Sequence, residues 1–202
     1  MAGMISIGLT GGIAGGKSEV SRMLGERGAQ VIDADRQGHL AYIPDSAGFR
    51  AVVEAFGQNV VGADGQIDRR VLGGIVFSQP DGLKKLTDIV WPLTRALLER
   101  IKREEPPTTN VLVFEAAVLI EAQWTDLGDE VWVVTVPVAV ARERLMARNG
   151  ISAEQADARI ASQITNEERI PHAKILIDNS GDLKSLEERV DEAWTSLLAR
   201  TS

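Results

Sequence analysis

Apolar residues along the chain follow two rhythms. Runs at residues 5–9, 29–32, 111–114, 131–136 and 175–177 are short, β-branched and continuously apolar, which is the signature of parallel strands covered on both faces. Between them, apolar positions recur every three or four residues. Val20, Met23 and Leu24 mark a helix over residues 18–27, with Gly28 as a left-handed stop. Leu183, Leu186, Val190, Ala193, Trp194 and Leu197 mark a C-terminal helix behind Asp182, a suitable N-cap. Ser152 followed by Gln155 reads as a capping box opening a helix through Ser162. Strands alternating with helices predict βαβ crossovers and an α/β fold, a five-stranded parallel sheet flanked by helices. Ligands bind such sheets beyond the carboxyl ends of the strands.

Two stretches exceed what this minimal fold needs. Residues 39–105 hold no convincing strand, yet carry Val52, Val53 and Phe56, then Leu83, Leu86, Ile89 and Val90, at helical spacing. They predict a helical insertion between the second and third strands, closed by the polar, proline-containing stretch 104–110. Residues 139–169 predict a second insertion, a helical pair rich in arginine. The remaining segments, 1–38, 106–138 and 170–202, form the expected core.

Composition narrows the chemistry. With 44% hydrophobic and 25% charged residues, the 202-residue chain can bury a core without staples, and wholesale disorder is excluded. The formal charge of −7 argues against a nucleic-acid binder, whose footprint would be basic. No cysteine is present, so disulfides, thiolate zinc and thiol catalysis are ruled out. His39 and His172 are too few for a multi-histidine metal site and receive no role. The longest apolar stretch, 131–141, contains Thr135 and Pro137 and is too short to span a bilayer. No cationic leader precedes an apolar block, and the expectation is a cytoplasmic protein without a membrane partner.

The strongest signal is Gly11-Gly12-Ile13-Ala14-Gly15-Gly16-Lys17-Ser18, a match to G-x-x-x-x-G-K-[ST] placed between a predicted strand and a predicted helix. Glycines let the backbone curl and aim successive N–H groups at phosphate oxygens. Lys17 supplies a point charge to the β- and γ-phosphates, Ser18 a hydroxyl to Mg2+, and the helix start its partial positive charge. The fold expected is therefore of the P-loop NTPase kind. Asp33 ends the second strand on the side where an acceptor would lie, and can take a proton from a substrate hydroxyl or cap the next helix; catalysis is the favoured reading for Asp33 and structure for Asp35. Glu115 ends the third strand, where an acid orients Mg2+ or is simply solvated; Glu121 is a weaker candidate for the same work. Arg142, Arg144, Arg148 and Arg159 lie in the second insertion. Arg144 and Arg148 share a helix face and could swing over a triphosphate. The four tryptophans read as packing residues, although Trp91 beside Pro92 could line a substrate groove.

In series, these residues become more specific. Ile7-Gly8-Leu9-Thr10-Gly11-Gly12-Ile13 leads into the loop, and Val31-Ile32-Asp33-Ala34-Asp35 follows. Then come Phe56-Gly57, Gly65-Gln66-Ile67-Asp68-Arg69 with Leu72 and Val76-Phe77, Arg144 with Arg148, Arg159 with Gln163, and Ile177-Asp178-Asn179-Ser180-Gly181. Over nearly the whole chain this order resembles the dephospho-CoA kinases. The resemblance implies ATP-dependent phosphorylation of the ribose 3′-hydroxyl of dephospho-CoA, the last step of CoA biosynthesis. It also implies a helical CoA-binding insertion at 39–105 and a lid at 139–169. Ala14, Gly15, Gly16, Lys17, Ser18 and Glu19 would wrap the ATP phosphates, and Asp33 would be the base. Arg69 would fall in the acceptor site, Arg148 would be the lid arginine, and Asn179 would sit near the adenine. The implied partners are small molecules alone, with a monomer expected.

The chain departs from the usual bacterial pattern at Trp91-Pro92, where that pattern has His-Pro. It departs again at Glu115-Ala116-Ala117-Val118-Leu119, where Asp precedes Pro-Leu-Leu. Residues 87–92 and 116–124 are instead similar to the kinase domain of the eukaryotic bifunctional CoA synthase. Ala14 and Glu19 also differ from the common loop, and no departure removes a phosphate-binding group. A kinase for another metabolite, with a smaller acceptor, is the nearest alternative. A nucleotide switch is a more distant one, since no N-K-x-D motif is present.

Overall fold

The computed structural model describes residues 4–201, and Met1–Gly3 and Ser202 lie outside the described residues. The chain divides into two compact units, Met1–Asp33 with Glu105–Ser202, and Ala34–Glu104.

In the first unit, strands β1 (Ile5–Gly11), β2 (Gln30–Asp33), β3 (Val111–Glu115), β4 (Glu130–Thr135) and β5 (Ile175–Asp178) form one parallel sheet in the order β2-β3-β1-β4-β5. The expected burial on both faces holds for the central strands β1, β3 and β4. It fails at the edges, where β2 and β5 each have one neighbour and stay partly exposed; Leu176 is 52% exposed. One face packs Ile7, Leu9, Val113, Trp132 and Ile177 against helices α1 (Lys17–Glu26) and, at the C-terminus, Leu183–Thr201. The predicted helix stop at Gly28 and start at Asp182 are in place. Gly28 sits at φ 100° while Ala29 N–H donates back to the Leu24 carbonyl, and Ser185 N–H donates to Asp182 Oδ1 at 2.8 Å.

The second unit holds α2 (Ala34–Gln37), α3 (Ala47–Phe56), α4 (Arg69–Ser78) and α5 (Gly82–Glu104), with a small core of Val52, Phe56, Val60, Ile67, Leu72 and Val76. It starts at Ala34 rather than residue 39, because buried Ala34 turns directly from β2 into helix. A single antiparallel bridge joins Val61 to Ile67.

Back in the first unit, residues 139–169 form α6 (Val138–Asn149), α7 (Ala153–Ala161) and α8 (Asn166–Arg169), and do not separate as a unit of their own. The Ser152–Gln155 capping box opens α7 as expected; a second, Thr165 with Glu168, opens α8. The C-terminal helix Leu183–Thr201 is α9. No helix among the described residues is long and apolar enough to cross a membrane.

Candidate active site

The site grows from the point where β1 stops. A Cβ on Gly11 would stand 2.4 Å from the Val134 carbonyl oxygen, so only glycine lets β1 lie so close to β4. Beyond it the backbone curls back: Gly15 N–H donates to the Gly12 carbonyl at 3.0 Å, and Ala14 and Gly16 take φ values of 56° and 93°. Gly16 is required on two counts, since an added Cβ would also meet Asn179 Nδ2 at 2.1 Å. That amide, on a side chain buried at the end of β5, donates to the Gly15 carbonyl at 2.9 Å. Asn179 therefore braces the loop from beneath.

Lys17 donates to the Gly11 carbonyl at 2.9 Å, which folds its ammonium over the loop. Glu19 faces away, bonded to Arg22 at 2.5 Å; that hydrogen bond holds its carboxyl below the usual range, and its N–H is spent on the Gly16 carbonyl. Gly12, Ala14, Gly15, Gly16, Lys17 and Ser18 share a cavity of about 280 Å3 with Arg144 and Arg148 of α6. The expected juxtaposition of loop and helix-borne arginines is thus present within one unit. Arg142 instead pairs with Asp157 at 3.3 Å, and Arg159 is exposed on α7.

Strand register sets the acids. Asp33 on β2 lies opposite Glu115 on β3, and Glu115 lies opposite Leu9 on β1. The two carboxylates thus stand side by side at the carboxyl edge, next to the loop. Ser18 donates to Glu115 Oε1 at 3.0 Å and Ser21 to Oε2 at 2.6 Å, so both carboxylate oxygens are oriented. Ser21 was not singled out by the sequence reading; its signal is its place one turn beyond Ser18 on the same helix face. The described residues hold no cluster of three or more acids or histidines suited to a metal. Ser18 and Glu115 do fit a hard cation of the Mg2+ kind, which takes one or two protein oxygens and completes its shell with phosphate and water.

Glu121 lies elsewhere. Its Oε2 is buried without a hydrogen bond, and its charge acts on Arg169, itself 2% exposed. Gln163 reaches back from the end of α7 to accept from Ile13 N–H at 2.8 Å. In the sequence pattern Gln163 carries no role and Arg169 gives no signal. Arg69 opens α4 in the second unit, with Asp68 accepting from the N–H groups of Arg70 and Val71. There its charge partly offsets the burial that raises the Tyr42 phenol above its usual range.

A loop of this kind, with acids at two neighbouring strand ends and arginines lining its cavity, has the parts that phosphoryl transfer uses. The dephospho-CoA kinase (CoaE) family model matches residues 5–185. The chain belongs to the dephospho-CoA kinase family. A dephospho-CoA kinase of Geobacter sulfurreducens is 44% identical over 189 residues, 93% of this chain and 96% of that protein. The solved structure of dephospho-CoA kinase from Campylobacter jejuni superposes with a TM-score of 0.72 at 27% identity, covering 95% of this chain and 96% of that one. Shikimate kinase from Bacteroides thetaiotaomicron, at 16% identity and a TM-score of 0.56, covers 96% of this chain and 98% of its own, and shares the fold. This chain is accordingly a kinase of the dephospho-CoA kinase family, whose reaction is the final step of CoA biosynthesis.

Proposed function

We propose that the chain transfers the terminal phosphoryl group of ATP to the ribose 3′-hydroxyl of dephospho-CoA, giving CoA and ADP. The observation that carries this reading is the row of groups along the carboxyl edge: Asp33 in register with Glu115, and Glu115 bonded to Ser18 of the loop. The N–H groups of Ala14 and Gly16 and the ammonium of Lys17 hold the β- and γ-phosphates, in a curl closed by the Gly15 bond to Gly12. Mg2+, held by Ser18 and oriented by Glu115, would neutralise charge on the β- and γ-oxygens. Asp33 takes the proton from the 3′-hydroxyl as its oxygen bonds to the γ-phosphorus and the bond to the β–γ bridging oxygen breaks. Arg148, with Arg144 beside it, covers the charge that spreads over the transferring group.

Further assignments follow the family resemblance. Arg69 in the helical insertion at 39–105 contacts the acceptor, residues 139–169 act as the lid, and Asn179 borders the adenine as well as bracing Gly15. The protein works on small molecules as a cytoplasmic monomer, without nucleic acid or membrane.

Asp33→Asn tests the central role because it keeps size and hydrogen-bonding reach while removing basicity. The expected result is a kcat lower by about 10²-fold, toward the low end for a general base because a loose transition state needs little proton removal. KM for dephospho-CoA should stay within a few-fold. A kcat within a few-fold of wild type would remove Asp33 as the base.

A further inference from the structure

A second cavity of about 400 Å3 adjoins the phosphate cradle and shares Gly12 and Gly15 with it. Val136, Pro137, Ala141 and Ile160 give it an apolar side, and Gln163, Thr165, Asn166, Glu167 and Arg169 line the rest, with Arg169 its one cation. Arg169 is 2% exposed, yet its Nε and Nη2 have no hydrogen-bond partner. Its Nη1 lies 3.4 Å from where a Cβ on Gly12 would stand, so the guanidinium sits against the start of the phosphate-binding loop.

This placement is costly for the protein alone. Unsatisfied donors on a buried cation lose their full hydration, and an apolar side chain of similar volume would generally be more stable there. Glu121 gives only partial relief. It attracts Arg169 across space, as Glu168 also does, but its own Oε2 is buried without a partner and the two make no ion pair within 4 Å. Meanwhile the platform is firmly built. The Thr165–Glu168 capping box fixes α8, Asn166 donates to the Val136 carbonyl at 2.9 Å, and Gln163 holds Ile13.

We propose that Arg169 is a phosphate-binding residue of the reaction site, its buried and unpartnered guanidinium meeting a phosphate group in the cavity beside Gly12. A guanidinium is a strong partner for phosphate oxygens, and the shared Gly12 and Gly15 put a bound group beside both Arg169 and the cradle. The inference rests on the kinase reading above and deepens it. The phosphate belongs either to the donor, as its terminal group, or to the acceptor, as part of its pyrophosphate.

Calorimetry on the full chain separates these sources. Wild type, Arg169→Lys and Arg169→Met are titrated with ADP, with a non-hydrolysable ATP analogue and with dephospho-CoA. Loss of a charge-assisted contact to phosphate should weaken one ligand by about 10–100-fold. A loss confined to the ATP analogue, with ADP unchanged, assigns the donor's terminal phosphate; a loss confined to dephospho-CoA assigns the acceptor. Affinities within twofold for all three ligands would overturn the proposal, as would an equal loss for all three including ADP, which signals a collapsed cradle. Thermal melting of the ligand-free Arg169→Met/Glu121→Gln double variant adds a second check. Its melting temperature should equal or exceed that of wild type, and a lower one would make the two residues a structural pair and overturn the assignment. Should wild type fail to bind dephospho-CoA, the acceptor reading falls, while the difference between ADP and the ATP analogue still decides Arg169.

Discussion

In the loop of residues 11–18, the backbone is tied down at nearly every turn. Asn179 braces Gly15, Gln163 holds Ile13, Gly12 closes on Gly15, and Lys17 folds onto Gly11. Across the cavity, Arg144 and Arg148 on α6 are held far more loosely. Arg148 is exposed and touches Asn149, and Arg144 reaches the Gly181 carbonyl only at 3.5 Å. The contrast separates two ways of meeting the same ligand. A phosphate received by fixed N–H groups requires no rearrangement of them, so the loop's contribution is present before binding. Exposed guanidinium groups are screened by water and gain strength only when a ligand and a closed cavity exclude it.

If the contrast is right, the two regions should fail differently. Lys17→Ala removes a charge that the loop has already placed, and should lower kcat by about 10²–10³-fold with little change in melting temperature. Steady-state kinetics and a melt on one preparation check this; near-normal turnover by a folded variant would remove the loop from the chemistry. Arg148→Ala should cost less, about 10–100-fold in kcat, with ADP affinity and melting temperature unchanged because the side chain supports nothing in the free protein. A fall in stability there would show that the arm is structural rather than waiting for its ligand. Asn179→Ala should have the smallest catalytic effect and the clearest structural one. Losing the bond to Gly15 should destabilise the protein by about 1–3 kcal/mol and lower its melting temperature by several degrees. Nucleotide KM should rise while kcat changes least of the three. Unchanged melting would mean that the loop holds its shape without this brace.

The same contrast explains what could be read from sequence. Each strand was legible to within two residues at either end, because continuous β-branched runs have few other uses. Gly28, Asp182 and the Ser152–Gln155 box were legible because their partners lie within a few residues. The loop and the acids at the ends of β2 and β3 were legible because motif and strand end coincide. The contacts that hold the loop were not. Asn179 finds Gly15 across 164 positions, Gln163 finds Ile13 across 150, and Ser21 finds Glu115 across 94. Local pattern carries no information about such pairs. Arg169 was hidden for another reason: in sequence it ends Glu167-Glu168-Arg169, which looks like a solvated charged turn, and only the fold buries it. The start of the second unit was missed by five residues because Ala34-Asp35 reads as a strand tail, whereas the chain turns helical as soon as Asp33 is placed.

The most direct test of the account is the identity of the acceptor and of the bond made. The full chain is incubated with Mg·ATP, with and without dephospho-CoA and with nucleosides or shikimate as competing acceptors. ADP release is followed by a coupled assay and the product by phosphorus NMR. The account predicts ADP only when dephospho-CoA is present, in step with a new phosphate monoester on its ribose 3′-oxygen and no product from the other acceptors. ADP released at the same rate without dephospho-CoA, or a phosphate delivered to another acceptor in preference to it, would contradict it.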